Sequence, residues 1–137
     1  MAVNIERHLA EIKEFLEGRE EVLLGYMFGS FVEGRLTNES DVDIALLFEK
    51  EPDFPTLVSI MNGITDITGR KVDIVVLNYA SPIIRMQVLK RGRLLKKTND
   101  KIYNDFFLRA VKEYDDLKIV RKAQEENILR GRVYVGK

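Results

Sequence analysis

The residues best suited to chemistry lie in one short segment of the chain. Gly29-Ser30 is followed, after a spacer of ten residues, by Asp41-Val42-Asp43. Gly29 lets the backbone approach a ligand closely, and the N–H groups of such a turn, with the Ser30 hydroxyl, can hold phosphates. Asp41 and Asp43 would share one face of a strand, with their Cα atoms roughly 6.6 Å apart. Because Mg²⁺ prefers oxygen ligands and shares its shell with substrate phosphates, the spacing predicts a nucleoside triphosphate site with Mg²⁺.

A third carboxylate fits the same scheme. Asp73 is the one acid in the apolar run from Lys71 to Leu77, and it points away from the face of Val72 and Ile74. If this run pairs beside the strand of Asp41 and Asp43, three acids meet at one point. Asp73 would then hold a metal ion, or act as a general base that takes the proton of an attacking hydroxyl.

This pattern resembles the nucleotidyltransferase superfamily that includes DNA polymerase beta, and the short chain resembles its minimal nucleotidyltransferase (MNT) group. The resemblance covers roughly residues 1 to 130. The matching segments are Phe28-Gly29-Ser30, Gly34, Ser40 to Ile44, Val72 to Val75 and Val88 to Leu95. The tail from Phe106 to Lys118, with Tyr114-Asp115, is similar to antitoxins that act beside HEPN-domain toxins.

The resemblance implies transfer of AMP from ATP, with Mg²⁺, to a tyrosine of a partner HEPN toxin, which silences the toxin. Ser30 would bind the triphosphate and Asp41 and Asp43 would hold the metal ions. Asp73 would activate the acceptor hydroxyl. One departure from many relatives is Phe31-Val32-Glu33, because a Glu33 carboxylate pointing inward would repel the phosphates.

Hydrophobic periodicity and turn residues predict an α/β (α+β) domain with a mixed sheet of three to five strands flanked by helices. We expect a nucleotidyltransferase core over residues 1–98 and a C-terminal helical extension over residues 99–137. The predicted elements are a helix from Ile5 ending near Gly18, strands Val22–Phe28 and Val42–Phe48, a helix that starts at Pro55 and ends at Gly69, the Asp73 strand, a helix from Ser81-Pro82 to about Arg91, a short strand Arg93–Lys97 and a helix from about Asp100 to Arg130.

Two features of the C-terminal third have a structural and a functional interpretation. A basic cluster is either a solvated helix end or a contact for the triphosphate or an acidic partner; its members are Lys90, Arg91, Arg93, Lys96 and Lys97. The last helix, about 30 residues and roughly 45 Å long, exceeds the roughly 30 Å expected for a compact domain of this size. We therefore expect the first half of its apolar stripe to pack on the sheet and its end to meet a second protein. The stripe comprises Tyr103, Phe106, Phe107, Ala110, Val111, Tyr114, Leu117 and Val120, with Ala123, Ile128 and Leu129 continuing it less regularly.

The composition excludes several other functions. The chain has 137 residues, 22 basic and 22 acidic, so bulk charge gives no attraction for nucleic acid. It has no cysteine, and its one histidine, His8, falls in the first helix, which argues against disulfides, a cysteine nucleophile or a Ser-His-Asp triad. With no long apolar run we expect a cytoplasmic protein without a membrane segment.

Two alternative functions stay open from the sequence alone. The chain could transfer a nucleotide to a small molecule, although such enzymes usually carry extra substrate-binding structure. It could also be a non-catalytic protein that neutralises a toxin by occlusion, although three intact acids argue against that.

Overall fold

The computed structural model describes residues 5–29 and 41–129. Ser30, Gly34 and the rest of the spacer before Asp41 lie outside the described residues, as does the tail after Leu129. The elements are α1 (Ile5–Glu17), β1 (Val22–Phe28), β2 (Val42–Phe48), α2 (Phe54–Thr68), β3 (Val72–Val76), α3 (Pro82–Arg91), β4 (Arg93–Lys97) and α4 (Asp100–Leu129).

The four described strands form one mixed sheet in the order β3-β2-β1-β4. β1 pairs antiparallel with both β2 and β4, whereas β2 and β3 are parallel. The parallel pair needs a crossover connection, which α2 provides. The predicted α/β architecture with a long C-terminal helix is therefore confirmed, while the boundary at residue 98 between core and extension stays a prediction.

Local capping explains where the helices begin and end. The Asp53 side chain accepts a hydrogen bond from the N–H of Thr56 (2.8 Å), so α2 begins at Phe54, one residue before the predicted start at Pro55. Gly69, with φ of 67°, ends α2 in the left-handed conformation that glycine tolerates best. Ser81 caps α3 and accepts from the N–H of Ile84 (3.2 Å), as its position before Pro82 predicts.

The sheet separates two apolar clusters. The first packs α1 and α2 against one face through side chains such as Ile12, Ile44 and Ile64, which have no solvent exposure. The second lies on the other face, where Ala45 contributes beside Val88 of α3 and Phe106 of α4. Because side chains alternate along a strand, Asp43 and Asp73 belong to this second face.

Helix α4 leaves the domain partway along its length. Phe106 and Ala110 are buried, whereas Phe107, predicted to pack, is 41% exposed. From residue 118 to 126 all side chains but Gln124 are exposed. Packing on one small sheet thus covers only the first half of the helix, as its length predicts. Among the described residues no helix is both long and apolar enough to cross a bilayer.

Candidate active site

The strand register brings the predicted acids to one end of the sheet. Phe28, the last residue of β1, pairs with Asp43 on β2, and Asp43 in turn pairs with Asp73 on β3. Adjacent strands lie about 4.8 Å apart, so Asp43 is flanked by the end of β1 and by the second acid. Asp41 directly precedes β2. We call this edge, marked by Phe28, Asp43 and Asp73, the carboxylate end.

Gly29 leaves β1 at the carboxylate end, in a conformation that only glycine fits. Its φ is +81°, which is unfavourable for residues with a side chain. A Cβ atom placed on Gly29 would collide with the Oδ2 atom of Asp43 and lie 3.2 Å from its Cγ atom. The backbone after β1 therefore runs directly against the Asp43 carboxylate. A phosphate bound by this turn would lie beside that carboxylate.

The three acids differ in exposure and in electrostatic environment. Asp41 and Asp43 are half-buried and Asp73 is exposed. Burial raises the pKa of the Asp43 carboxyl, and the negative charges of Asp73 and then Asp41 raise this pKa further. No cation within residues 5–29 and 41–129 forms an ion pair with any of the three. The carboxylate end thus carries concentrated negative charge that no ion pair within the described residues compensates.

Such a site fits a divalent cation whose remaining ligands come from a substrate. Within the described ranges, no three acidic or histidine side chains lie close enough together to hold a metal ion by themselves. The chain nevertheless offers oxygen donors, the type that Mg²⁺ prefers, and their mutual repulsion is what a cation would relieve. Mg²⁺ is typically held by one or two carboxylates with phosphates and water. The donor set fits that description, with Asp41, Asp43 and Asp73 as the candidate ligands.

The basic cluster does not act as one unit. Lys96 is buried, and its Nζ donates hydrogen bonds to the carbonyl oxygens of Leu16 (3.0 Å) and Arg19 (2.7 Å), so it caps the end of α1. The other pairings join Lys97 to Asp100 at 2.8 Å and Arg93 to Glu6 at 2.8 Å. These three residues lie on β4 and pair within the chain, so the interpretation as a solvated helix end is wrong for them, most clearly for the buried Lys96.

Sequence reasoning identified Gly29 and the acids but missed the surroundings of Lys90. The Lys90 Nζ lies 5.7 Å from the ring centroid of Tyr114, on α4. The two residues are 24 positions apart on different helices, and hydrophobic periodicity does not indicate which surface residues of two helices meet. The basic run and the Tyr114-Asp115 pair are both visible in the sequence, but only the fold shows that Lys90 and Tyr114 are in contact.

Comparison with known proteins places this geometry in a family. Residues 10–101 match the family model described as polymerase beta, nucleotidyltransferase. Protein adenylyltransferase MntA of Aphanizomenon flos-aquae is 29% identical over 112 residues, which cover 74% of this chain and 75% of that protein.

Two solved structures share the fold. A toxin–antitoxin structure with AMP-PNP superposes with a TM-score of 0.73 at 24% identity, covering 88% of this chain and 98% of that one. The MNT antitoxin in complex with the tri-AMPylated HEPN toxin of Shewanella oneidensis gives a TM-score of 0.70 at 21% identity, covering 92% of this chain and 99% of the matched chain. The family model spans more than half of the chain, including Gly29 and all three acids. The chain therefore belongs to the polymerase beta nucleotidyltransferase family and is a nucleotidyltransferase.

Proposed function

We propose that this chain is an antitoxin that transfers AMP from ATP, with Mg²⁺, to a tyrosine of a partner HEPN toxin and thereby neutralises the toxin. The observation that carries the proposal is the contact of the Gly29 backbone with Asp43, which itself pairs with Asp73. The Gly29 turn, which we propose as the phosphate-binding turn, lies beside acids with which no described cation forms an ion pair. The relative named protein adenylyltransferase MntA supports the AMP chemistry, and the fold shared with the MNT antitoxin–HEPN toxin complex supports the partner.

In this proposal Gly29 and Ser30 bind the triphosphate, Asp41 and Asp43 bind Mg²⁺, and Asp73 is the general base beside them. When bound, Mg²⁺ would offset the negative charge of the phosphates and of the carboxylates. Asp43 is half-buried, and burial and the charges of Asp73 and Asp41 disfavour its ionised form. A bound cation would therefore stabilise the Asp43 carboxylate. Only glycine lets the backbone of this turn lie directly against the Asp43 carboxylate. A triphosphate bound to the turn would therefore lie beside Asp43.

Asp73 is placed to meet the acceptor. It is exposed, and it lies on β3 at the edge of the sheet, so a second molecule can approach it. A tyrosine hydroxyl has a pKa near 10 and needs a base to become a nucleophile at neutral pH. The hydroxyl oxygen forms a bond to the α-phosphorus, its proton passes to the Asp73 carboxylate, and the bond from the α-phosphorus to the bridging oxygen breaks to release pyrophosphate.

The partner would dock on the second half of α4. Ile119 is 67% exposed and Val120 is 53% exposed, beyond the part of the helix that packs on the sheet. Large apolar side chains on a projecting helix are typical of a surface that a second protein covers. Helix α4 runs along the same face of the sheet as Asp43 and Asp73, so a toxin held there would lie near the acids.

The proposal is tested by AMP transfer with the Asp41→Asn/Asp43→Asn double variant. We expect no transfer to the toxin from labelled ATP, with the fold unchanged by circular dichroism. A matched control, Asp66→Asn, makes the same chemical change at an exposed position of α2 and should retain full transfer. Transfer by the double variant at the wild-type rate would show that the site is wrongly assigned. Toxin binding without transfer by the wild type would favour occlusion, and transfer to a small molecule alone would favour that class of substrate.

A further inference from the structure

Two lysine ammonium groups converge on the ring of Tyr114. Lys90, near the end of α3, lies 5.7 Å from the ring centroid, and Lys118, one turn further along α4, lies 5.5 Å from it. Both distances are within the roughly 6 Å over which a cation is attracted to an aromatic ring. The ring therefore attracts both ammonium groups to one region of the surface.

Neither ammonium is neutralised by a carboxylate in the described part of the chain. Lys97 and Arg93 pair with Asp100 and Glu6, but within residues 5–29 and 41–129 neither Lys90 nor Lys118 forms an ion pair. Asp115 lies one turn before Lys118 on the same helix without contacting it as an ion pair. Two cations on one ring, with no counter-ion among the described residues, give a local positive charge that favours an anion, although the whole chain carries no net charge.

The pair lies at the carboxylate end of the sheet, on the face of Asp43. Helix α3 ends at Arg91, and the next residue, Gly92, packs so closely on β1 that an added Cβ would lie 3.3 Å from the carbonyl oxygen of Met27. Lys90 precedes Gly92 by two residues and Met27 precedes Gly29 by two. Each of these segments spans at most about 7 Å. The end of α3 is therefore next to the turn at which the triphosphate would start.

We propose that Lys90 and Lys118, positioned by Tyr114, bind the terminal phosphates of the nucleoside triphosphate. This inference rests on the proposed function, because it names the groups that hold the pyrophosphate portion of the same substrate. Asp41, Asp43 and Asp73 repel this highly charged end of the ligand, and the lysine pair supplies the compensating charge. The pair would thus make the site select a triphosphate over a monophosphate.

Binding to inorganic tripolyphosphate, AMP and a non-hydrolysable ATP analogue, each with Mg²⁺, tests the proposal by calorimetry. For Lys90→Gln/Lys118→Gln we expect at least about a 10-fold loss of affinity for tripolyphosphate and for the ATP analogue, since two charged contacts are lost. Affinity for AMP should stay within about 2-fold, and the loss should shrink at high salt, which screens exposed charges. Lys101→Gln, an exposed lysine that pairs with Asp105 at the start of α4, is the control and should bind like the wild type.

The role of the ring is tested separately. Tyr114→Leu should weaken tripolyphosphate binding by several-fold, and Tyr114→Phe, which keeps an aromatic ring, should restore it. Thermal unfolding of each variant identifies any that fail to fold, and single variants Lys90→Gln and Lys118→Gln then replace the double one. Equal affinity of the double variant and the wild type for the ATP analogue would overturn the inference while leaving the proposed function intact. A double variant that retains the analogue but no longer binds the toxin would overturn it in favour of a protein contact. Failure of the wild type to bind the analogue would instead overturn the proposed function.

Discussion

Removing the charge of Asp43 should stabilise the folded protein, although Asp43 is central to the proposed function. In Asp43→Asn the shape of the side chain is kept and the charge is lost. The folded chain raises the pKa of Asp43 above its ordinary value of 3.8, through burial first and then through Asp73 and Asp41. The ionised carboxylate therefore costs free energy in the folded state that it does not cost in the unfolded one.

The size of this cost follows from the register. Asp43 and Asp73 lie on neighbouring strands, so their charges are separated by roughly 5 Å. Two unit charges at that distance repel by about 0.8 kcal/mol in bulk water and by about 3 kcal/mol at an effective dielectric constant near 20. Because Asp73 is exposed, the lower value is the closer one, and we expect Asp43→Asn to gain about 1 kcal/mol. For a chain of this size that is a rise in Tm of about 3–5 °C.

Thermal unfolding followed by circular dichroism between pH 4 and pH 8 measures this gain, without Mg²⁺ and at low ionic strength. The gain should be full at neutral pH and should shrink as the pH falls through the raised pKa of Asp43 towards 3.8, where the wild-type carboxyl also becomes neutral. Asp66→Asn, on the exposed surface of α2, should leave Tm unchanged.

The difference in stability between Asp43→Asn and the wild type should change sign when ligand is added. Mg²⁺ with a non-hydrolysable ATP analogue at 100 times its Kd would stabilise the wild type by about 2.7 kcal/mol. Asp43→Asn should lose most of that response, so the more stable protein without ligand becomes the less stable one with it. A variant less stable than the wild type without Mg²⁺, or a gain that persists at pH 4, would refute the electrostatic argument.

Three further predictions concern the turn, the base and the long helix. Gly29→Ala should cost clearly more stability than Gly69→Ala, because both have positive φ, worth about 1–2 kcal/mol, but only the first meets Asp43; equal losses in chemical denaturation would contradict the contact. Asp73→Asn should lower the rate of AMP transfer by about 10²–10⁴-fold with little change in ATP affinity, whereas an equal loss of affinity would make Asp73 mainly a metal ligand. Truncation after Lys118 leaves the buried Phe106 and Ala110 and the contact of Lys118 with Tyr114 in place and should weaken toxin modification more than background ATP hydrolysis; a folded truncation that modifies the toxin at full rate would place the docking surface elsewhere.

Sequence reasoning succeeded where the physical cause is local. Apolar runs between turn residues indicated β1, β2 and β3, and Ser81-Pro82 marked the start of α3 because a cap and a fixed φ act on adjacent residues. The Gly29 turn was recognisable because few other residue types suit a close backbone approach.

Contacts between residues that are distant in the chain could not be predicted from the sequence. Lys96 belongs to a run of basic residues that looks solvent-exposed, yet it is buried against the end of α1, 80 residues earlier in the chain. The placement of Lys90 and Lys118 on the ring of Tyr114 likewise depends on how α3 crosses α4. Periodicity predicts which face of an element is apolar, whereas the register and the crossing of elements determine which polar side chains meet.

The most direct test of the proposed function is mass spectrometry of the partner toxin after incubation with this protein, ATP and Mg²⁺. We predict an added AMP on a toxin tyrosine, absent when the Asp41→Asn/Asp43→Asn variant replaces the wild type and absent without Mg²⁺. An unmodified toxin that this protein nevertheless silences would contradict the proposal, as would AMP added equally well by the double variant.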